Sequence, residues 1–297
     1  MIRIVVASGK GGTGKTLVAT ALALVAAQRG SAALIDADVE APNAGLFIHP
    51  VYCQRQDVEM LAPVVDADLC THCGRCAEVC AFHAIASLPD RTLVFEEMCH
   101  GCGSCMLNCP AGAISEMPHP IGVIHAGQAG PVPFAEGELQ VGEAMATPII
   151  HQLGRFAEQE RYTERDWLIV DSPPGTACPV IETLRLADVA LLVTEPTPFG
   201  LHDLRLAVNL ARDVLGVPVG VVLNKDDGLD RSVEDYCQGE NLPVLLRIPY
   251  RREIAESYSR GQSLLASLPE YTGAFGALLD QAAALCRPVM ATQGGGT

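Results

Sequence analysis

"SGKGGTGKT", residues 8–16, follows the apolar run "IRIVVA" at 2–7 and opens an alanine-rich apolar stretch at 15–29. That order predicts a strand, a glycine loop and a helix. Gly9-x4-Gly14-Lys15-Thr16 fits the G-x-x-x-x-G-K-[ST] spacing of a phosphate-binding loop. Glycines let successive backbone N–H groups curl around a phosphate. The start of the helix adds its positive dipole end. Lys15 would neutralise β- and γ-phosphate oxygens, and the Thr16 hydroxyl would reach Mg²⁺. The candidate nucleotide-binding residues are therefore Gly9, Lys10, Gly11, Gly12, Thr13, Gly14, Lys15 and Thr16.

Further buried strands are predicted at 32–36, 167–171, 188–195, 217–225 and 243–250, with helix-like stretches between them, including 200–216. Strands alternating with helices indicate an α/β fold, a doubly wound and mostly parallel sheet. Nearly half of the residues are hydrophobic, at 49%, which suits a sheet covered on both faces. The formal net charge is −15. Nucleic acid needs a basic surface and anionic membranes attract one, so neither is an expected partner. The apolar run "LVATALALVAAQ" is too short to span a bilayer, and no cleavable leader is legible. A cytoplasmic, reducing location is the expectation. The stretch "YTGAFGALLDQAAALCRPVM" (271–290) reads as an amphipathic helix packed on the core. Its single Arg287 is too little charge for a membrane-surface helix.

The α/β pattern breaks over residues 61–118. Eight of the twelve cysteines lie there, with seven acidic residues against two arginines. "CTHCGRCAEVC" (70–80) repeats as "CHGCGSCMLNC" (99–109) with an offset of 29 residues. Each half reads C-x2-C-x2-C-x3-C. Three closely spaced thiolates supply three ligands to one [4Fe–4S] cubane, and the fourth completes the neighbouring cluster. This assigns Cys70, Cys73, Cys76 and Cys109 to one cluster, and Cys80, Cys99, Cys102 and Cys105 to the other. Structural zinc prefers C-x2-C pairs separated by a longer loop, so zinc fits poorly. The segment resembles bacterial two-cluster ferredoxins, with Pro110 after Cys109 as in that family and Ala81 after Cys80 instead. The expected organisation is an ATPase domain in two parts, 1–60 and 119–290, a small ferredoxin-like α+β insert at 61–118, and a disordered tail at 291–297.

"GKGGTGKT" as a whole resembles the deviant phosphate loop of MinD/Mrp ATPases, the class that includes the nitrogenase iron protein. The resemblance implies that Lys10 reaches across a homodimer to the partner's nucleotide. "LIDADVEAPN" (34–43) resembles the family's first switch. It implies that Asp38 positions the attacking water, Asp36 lies near Mg²⁺ and Asn43 approaches the dimer interface. "LIVDSPPGT" (168–176) resembles its second switch, with Asp171 facing Mg²⁺. "IPYRREIAESYSRGQ" (248–262) resembles its late segment, near the base. Asn224 in "VVLNKDD" can bond a purine edge. Asn224-Lys225-Asp226-Asp227 also fits the N-K-x-D string of guanine readers, so GTP stays open beside ATP. Cys178 lies near the offset of a cluster-ligating cysteine in the iron protein, but no second cysteine accompanies it.

Phosphate loop and cysteine insert together resemble MinD-superfamily ATPases containing an inserted ferredoxin domain. The function this implies is a slow, nucleotide-gated ATPase in a homodimer, passing electrons through two [4Fe–4S] clusters to a redox partner. The alternatives are an ATP-dependent carrier that assembles metalloclusters with a partner protein, and a redox-sensing ATPase of cell division or protein positioning.

Overall fold

The computed structural model describes residues 1–286. Its strands are β1 (Ile2–Ser8), β2 (Ala32–Asp36), β3 (Val51–Val65), β4 (Ile85–Ser87), β5 (Thr92–Val94), β6 (Ile114–Ala129), β7 (Val132–Leu139), β8 (Trp167–Pro174), β9 (Val189–Thr194), β10 (Val219–Asp226) and β11 (Val244–Pro249). Nine form one sheet in the order β11-β10-β9-β1-β8-β2-β7-β6-β3. From β11 to β7 every neighbouring pair is parallel. The central strands are buried along almost their whole length, which is why they read as continuous apolar runs.

Helix α1 (Lys15–Arg29) covers one face together with helix Thr272–Leu285; α1 buries Val and Leu side chains against the sheet, and the second helix buries Phe275 and leucines. Helices Thr147–Ala157, Cys178–Leu184 and Pro198–Val208 cover the other. The helix expected at 200–216 starts at Pro198. The Thr197 hydroxyl caps it by accepting from the Gly200 N–H at 3.0 Å. It continues as a wider π turn over Asn209–Val214. The helix read from 271 onward is present as Thr272–Leu285, and it buries Phe275, Leu278 and Leu279. Residues 287–290 and the tail at 291–297 lie outside the described residues. Among the described residues no helix is long and apolar enough to cross a membrane.

Three strands of the large sheet escaped the sequence reading: β3, β6 and β7. Strands β3 and β6 pair antiparallel from Val51↔Gln128 to Val65↔Ile114. Only Gly122–Ala129 of β6 also pairs with β7, so the rest of this ladder extends as a two-stranded arm. Most of β3 is exposed, and Pro118 and Pro120 interrupt β6. An exposed ribbon has no buried face to impose alternation, and proline breaks a strand pattern. Residues 66–113 join the two strands at the tip of the arm, so positions 61 and 118 fall inside paired strands. The tip segment contains helices Arg75–Val79 and Ser104–Leu107 and the two-stranded β4–β5 sheet. Its small core joins Cys76, Ile85 and Ile114.

Candidate functional site: a nucleotide cleft and two thiol cavities

The loop after β1 turns into α1 at Gly14, whose φ of 94° lies in the left-handed region. A Cβ there would sit 2.2 Å from Asn224 Nδ2. Gly9 is fixed by proximity instead, because its Cβ would lie 2.3 Å from the carbonyl oxygen of Asp203. Both positions exclude any larger residue. Asn224, at the end of β10, is buried. It donates to the Thr13 carbonyl at 2.6 Å and accepts from the Lys225 N–H at 2.9 Å. Its amide thus ties the phosphate loop to β10, two strands away across the sheet.

A cleft of about 530 Å³ opens over the loop, lined by Gly12, Lys15, Thr16, Asp38 and Asn43, with Tyr250, Arg251 and Tyr258 opposite. Asp227 is exposed and accepts from the Leu229 N–H at 3.0 Å, and it is not among the residues lining this cleft.

Three carboxylates gather beneath the cleft. Asp36 and Asp171 are register partners on β2 and β8, and neither has any exposed surface. Asp36 accepts three backbone N–H groups, from Asp38 at 3.0 Å and from Asn43 and Ala44 at 2.9 Å each. Burial nevertheless pushes its pKa up to about 6. Burial also lifts Asp38 to about 6, against the pull of Lys15, whose Nζ is 4.0 Å away. Asp171 is pushed well above the usual carboxylate range, first by burial and then by Asp36. Neither of its oxygens has a hydrogen-bond partner. A wholly buried carboxylate with two unused oxygens calls for a cation or its water shell. The residues present therefore fit Mg²⁺, which Thr16, Asp36 and Asp171 would hold.

Two groups went unnoticed in the sequence. Glu195 bridges two lysines, with Lys10 Nζ at 3.2 Å and Lys225 Nζ at 2.6 Å, while Lys225 also donates to the Gly12 carbonyl at 2.9 Å. Burial works against its charge, but the bonds from Lys225 and Lys10 outweigh burial and hold its carboxyl below the usual range. Its place just past β9, where ligands of such sheets collect, was the available signal. The second is Tyr52, which donates to Glu136 at 2.5 Å. A Cβ on Gly45 would meet the Tyr52 hydroxyl at 2.9 Å and Glu136 at 3.1 Å. The segment held by Asp36 therefore touches the base of the arm. Nothing in the sequence marks this pair.

At the arm's tip, Cys70, Cys73, Cys76 and Cys109 line one small cavity, and Cys80, Cys99, Cys102 and Cys105 line another. None of the twelve cysteines is in a disulfide. Backbone N–H groups point at the sulfurs: Ala84 to Cys80 and Ala113 to Cys109, both at 3.3 Å, and Gly101 to Cys99 at 3.4 Å. Burial raises the thiol pKa of Cys76, Cys99 and Cys105, so a thiolate there needs positive charge beside it. Among the described residues no three His, Cys, Asp or Glu side chains converge on a single metal ion. Four sulfurs around a space, with N–H donors aimed at them, fit a multi-iron cluster better than one ion. Cys178 is exposed at the start of its helix, away from both cavities.

A phosphate loop at the centre of a mostly parallel sheet, with buried carboxylates on the adjoining strands, defines a P-loop nucleotide-binding protein. The chain belongs to the CbiA family, the CobQ/CobB/MinD/ParA nucleotide binding domain, whose model matches residues 4–265. An uncharacterized protein of Methanocaldococcus jannaschii is 36% identical over 211 residues, covering 71% of this chain and 74% of that one. A cytosolic Fe-S cluster assembly factor NUBP2 homolog of Monosiga brevicollis is 32% identical over 160 residues, covering 47% of this chain and 54% of its own length. Among solved structures, the septum site-determining protein MinD of Pyrococcus horikoshii, complexed with Mg-ADP, shares the fold. Its TM-score is 0.57 at 19% identity, over 97% of this chain and 99% of that one.

Proposed function

We propose that the chain is a nucleotide-gated iron–sulfur ATPase, in which ATP binding and hydrolysis in a homodimer control electron exchange between two [4Fe–4S] clusters and a partner protein. One observation carries this reading. Eight cysteines line two four-sulfur cavities at the tip of an arm whose base belongs to the sheet bearing the phosphate loop. Bound clusters would supply single-electron transfer.

Lys15 and the loop N–H groups would bind the β- and γ-phosphates, with Mg²⁺ held by Thr16, Asp36 and Asp171. Asp38 lines the cleft, and with a pKa of about 6 it is ionised at pH 7. A carboxylate there can orient a water and take its proton. Lys10 would leave Glu195 to act on the partner's nucleotide, as the family resemblance implies. Asp227 stands outside the cleft, which favours ATP over GTP. Movement of the segment after Asp38 would reach the arm through Gly45, Tyr52 and Glu136.

The test begins with anaerobic purification and iron and sulfide counts, where about eight of each per chain are expected for two cubanes. Cluster potentials are then compared with ADP and with a non-hydrolysable ATP analogue, in wild type and Lys10→Ala. Identical potentials with both nucleotides in the wild type would end the gating idea.

The assembly-factor name of the Monosiga relative favours a second reading, an ATP-dependent cluster carrier. It requires a labile cluster that passes to an apo-protein at a rate set by ATP. Two clusters that resist chelators and stay on the chain would decide against it.

A further inference from the structure

The two thiol cavities are related by the 29-residue repeat, and their backbones match. His72 and Gly101 have φ of 54° and 59°, Gly74 and Gly103 have 79° and 70°, and His83 and Gly112 have 54° and 62°. Strand pairing matches too. Ser87↔Thr92 on β4–β5 corresponds to Glu116↔Pro63 on β3–β6. Thr92 lines the Cys70 cavity, and Pro63 and Glu116 line the Cys99 cavity.

Within this common frame the side chains differ in kind. Thr92 Oγ1 is 3.5 Å from Cys70 Sγ, and His72 Nδ1 is 3.6 Å from the same sulfur. Their counterparts, Pro63 and Gly101, carry no side-chain donor, and Gly101 gives Cys99 only its backbone N–H, at 3.4 Å. A left-handed backbone favours glycine, yet His72 keeps a full side chain there, beside the sulfur. On the other side Glu116 brings a carboxylate, and Phe82 and His100 stack at 3.5 Å along the cavity wall. Donors to a ligand sulfur stabilise the more negative, reduced cluster. A carboxylate opposes the added electron.

We infer that the two cluster sites are built unequal, so that an electron shared between them rests at the Cys70 site. Thr92 and His72 are the residues that tune this site upward, and Glu116 tunes the Cys99 site downward. The Cys99 cavity is the one nearer the nucleotide sheet. Gly101 there packs against Met60, further down the arm, whereas Val65 and Ile114 at the end of the ladder border the Cys70 cavity. The gradient therefore runs outward along the arm. This rests on the two-cluster reading above.

The experiment is stepwise dithionite titration of the anaerobically reconstituted full-length chain, followed by electron paramagnetic resonance. Two reduction waves are expected. Thr92→Val should shift only the upper wave downward, with Thr92→Ser restoring it. Glu116→Gln should shift only the lower wave upward, and it gives an independent reading if Thr92→Val fails to fold. Waves that coincide in the wild type, or that ignore both substitutions, would overturn the inference while leaving the clusters intact. An iron count near zero would remove the two-cluster reading and the inference with it.

Discussion

Asp171 has both carboxylate oxygens unpartnered in a site without solvent. With Asp36 and Asp38 it makes three acids facing one lysine, and that imbalance sets a pH dependence. Both Asp36 and Asp38 rise from an ordinary 3.8 to about 6. The fold favours their protonated forms, so their contribution to stability is present at low pH. It is lost as pH rises from about 4 through about 6. Bound Mg²⁺ reverses this preference by favouring the ionised forms. Affinity for Mg²⁺–ATP should therefore rise from pH 5 to 7, with protons released on binding. Calorimetry in two buffers of different ionisation enthalpy measures that release, and a flat affinity without it would contradict the assignment. A second residue-scale expectation concerns Asn224. Asn224→Ala removes a buried bond to the Thr13 carbonyl and should cost about 1–3 kcal/mol in chemical denaturation. Most of the phosphate-loop residues were legible because a glycine loop must place glycines and a lysine at fixed steps. The bond from the Asn224 amide to the Thr13 carbonyl was not, since a string of residues does not show which backbone group a distant side chain will meet.

At the scale of elements, the arm is the part that matters. His119 on β6 sits between Glu143, at 2.8 Å, and Glu96 of the cysteine segment, at 3.1 Å. It clamps the tip segment to the sheet. His119→Ala should speed hydrogen exchange in residues 96–105 while leaving β1 and β8 unchanged, and equal protection in both proteins would refute the clamp. Tyr52→Phe removes the bond to Glu136 at the arm's base. It should leave nucleotide affinity in place and weaken the nucleotide-dependent change in exchange along β3. A change of wild-type size in the variant would break the proposed route from cleft to arm. The parallel strands and α1 were readable because burial on both faces forces continuous apolar runs. The arm was hidden because most of β3 is exposed, and its pairing partner lies beyond the cysteine segment. Local pattern contains no record of such long-range pairing.

For the molecule as a whole, the nucleotide sheet and the cysteine segment have separate cores. Val65 and Ile114 are cross-strand neighbours at the end of the ladder. Replacing residues 66–113 with an Asn-Gly turn should therefore leave a folded, nucleotide-binding protein, because such a turn closes an antiparallel pair. Loss of cooperative thermal unfolding in that variant would show that the segment supports the sheet. The sequence announced the α/β class through alternating periods and the cysteine segment through its repeat. It did not announce that the two are joined by a β ribbon. That ribbon leaves and re-enters the sheet at neighbouring points. A peptide unit inserted there adds little closure entropy to the fold that hosts it, a cost that rises only slowly with its length. Other compact units with adjacent termini should be accepted at the same place, so the hairpin end serves as a socket into which different chemistry can be fitted without redesigning the engine.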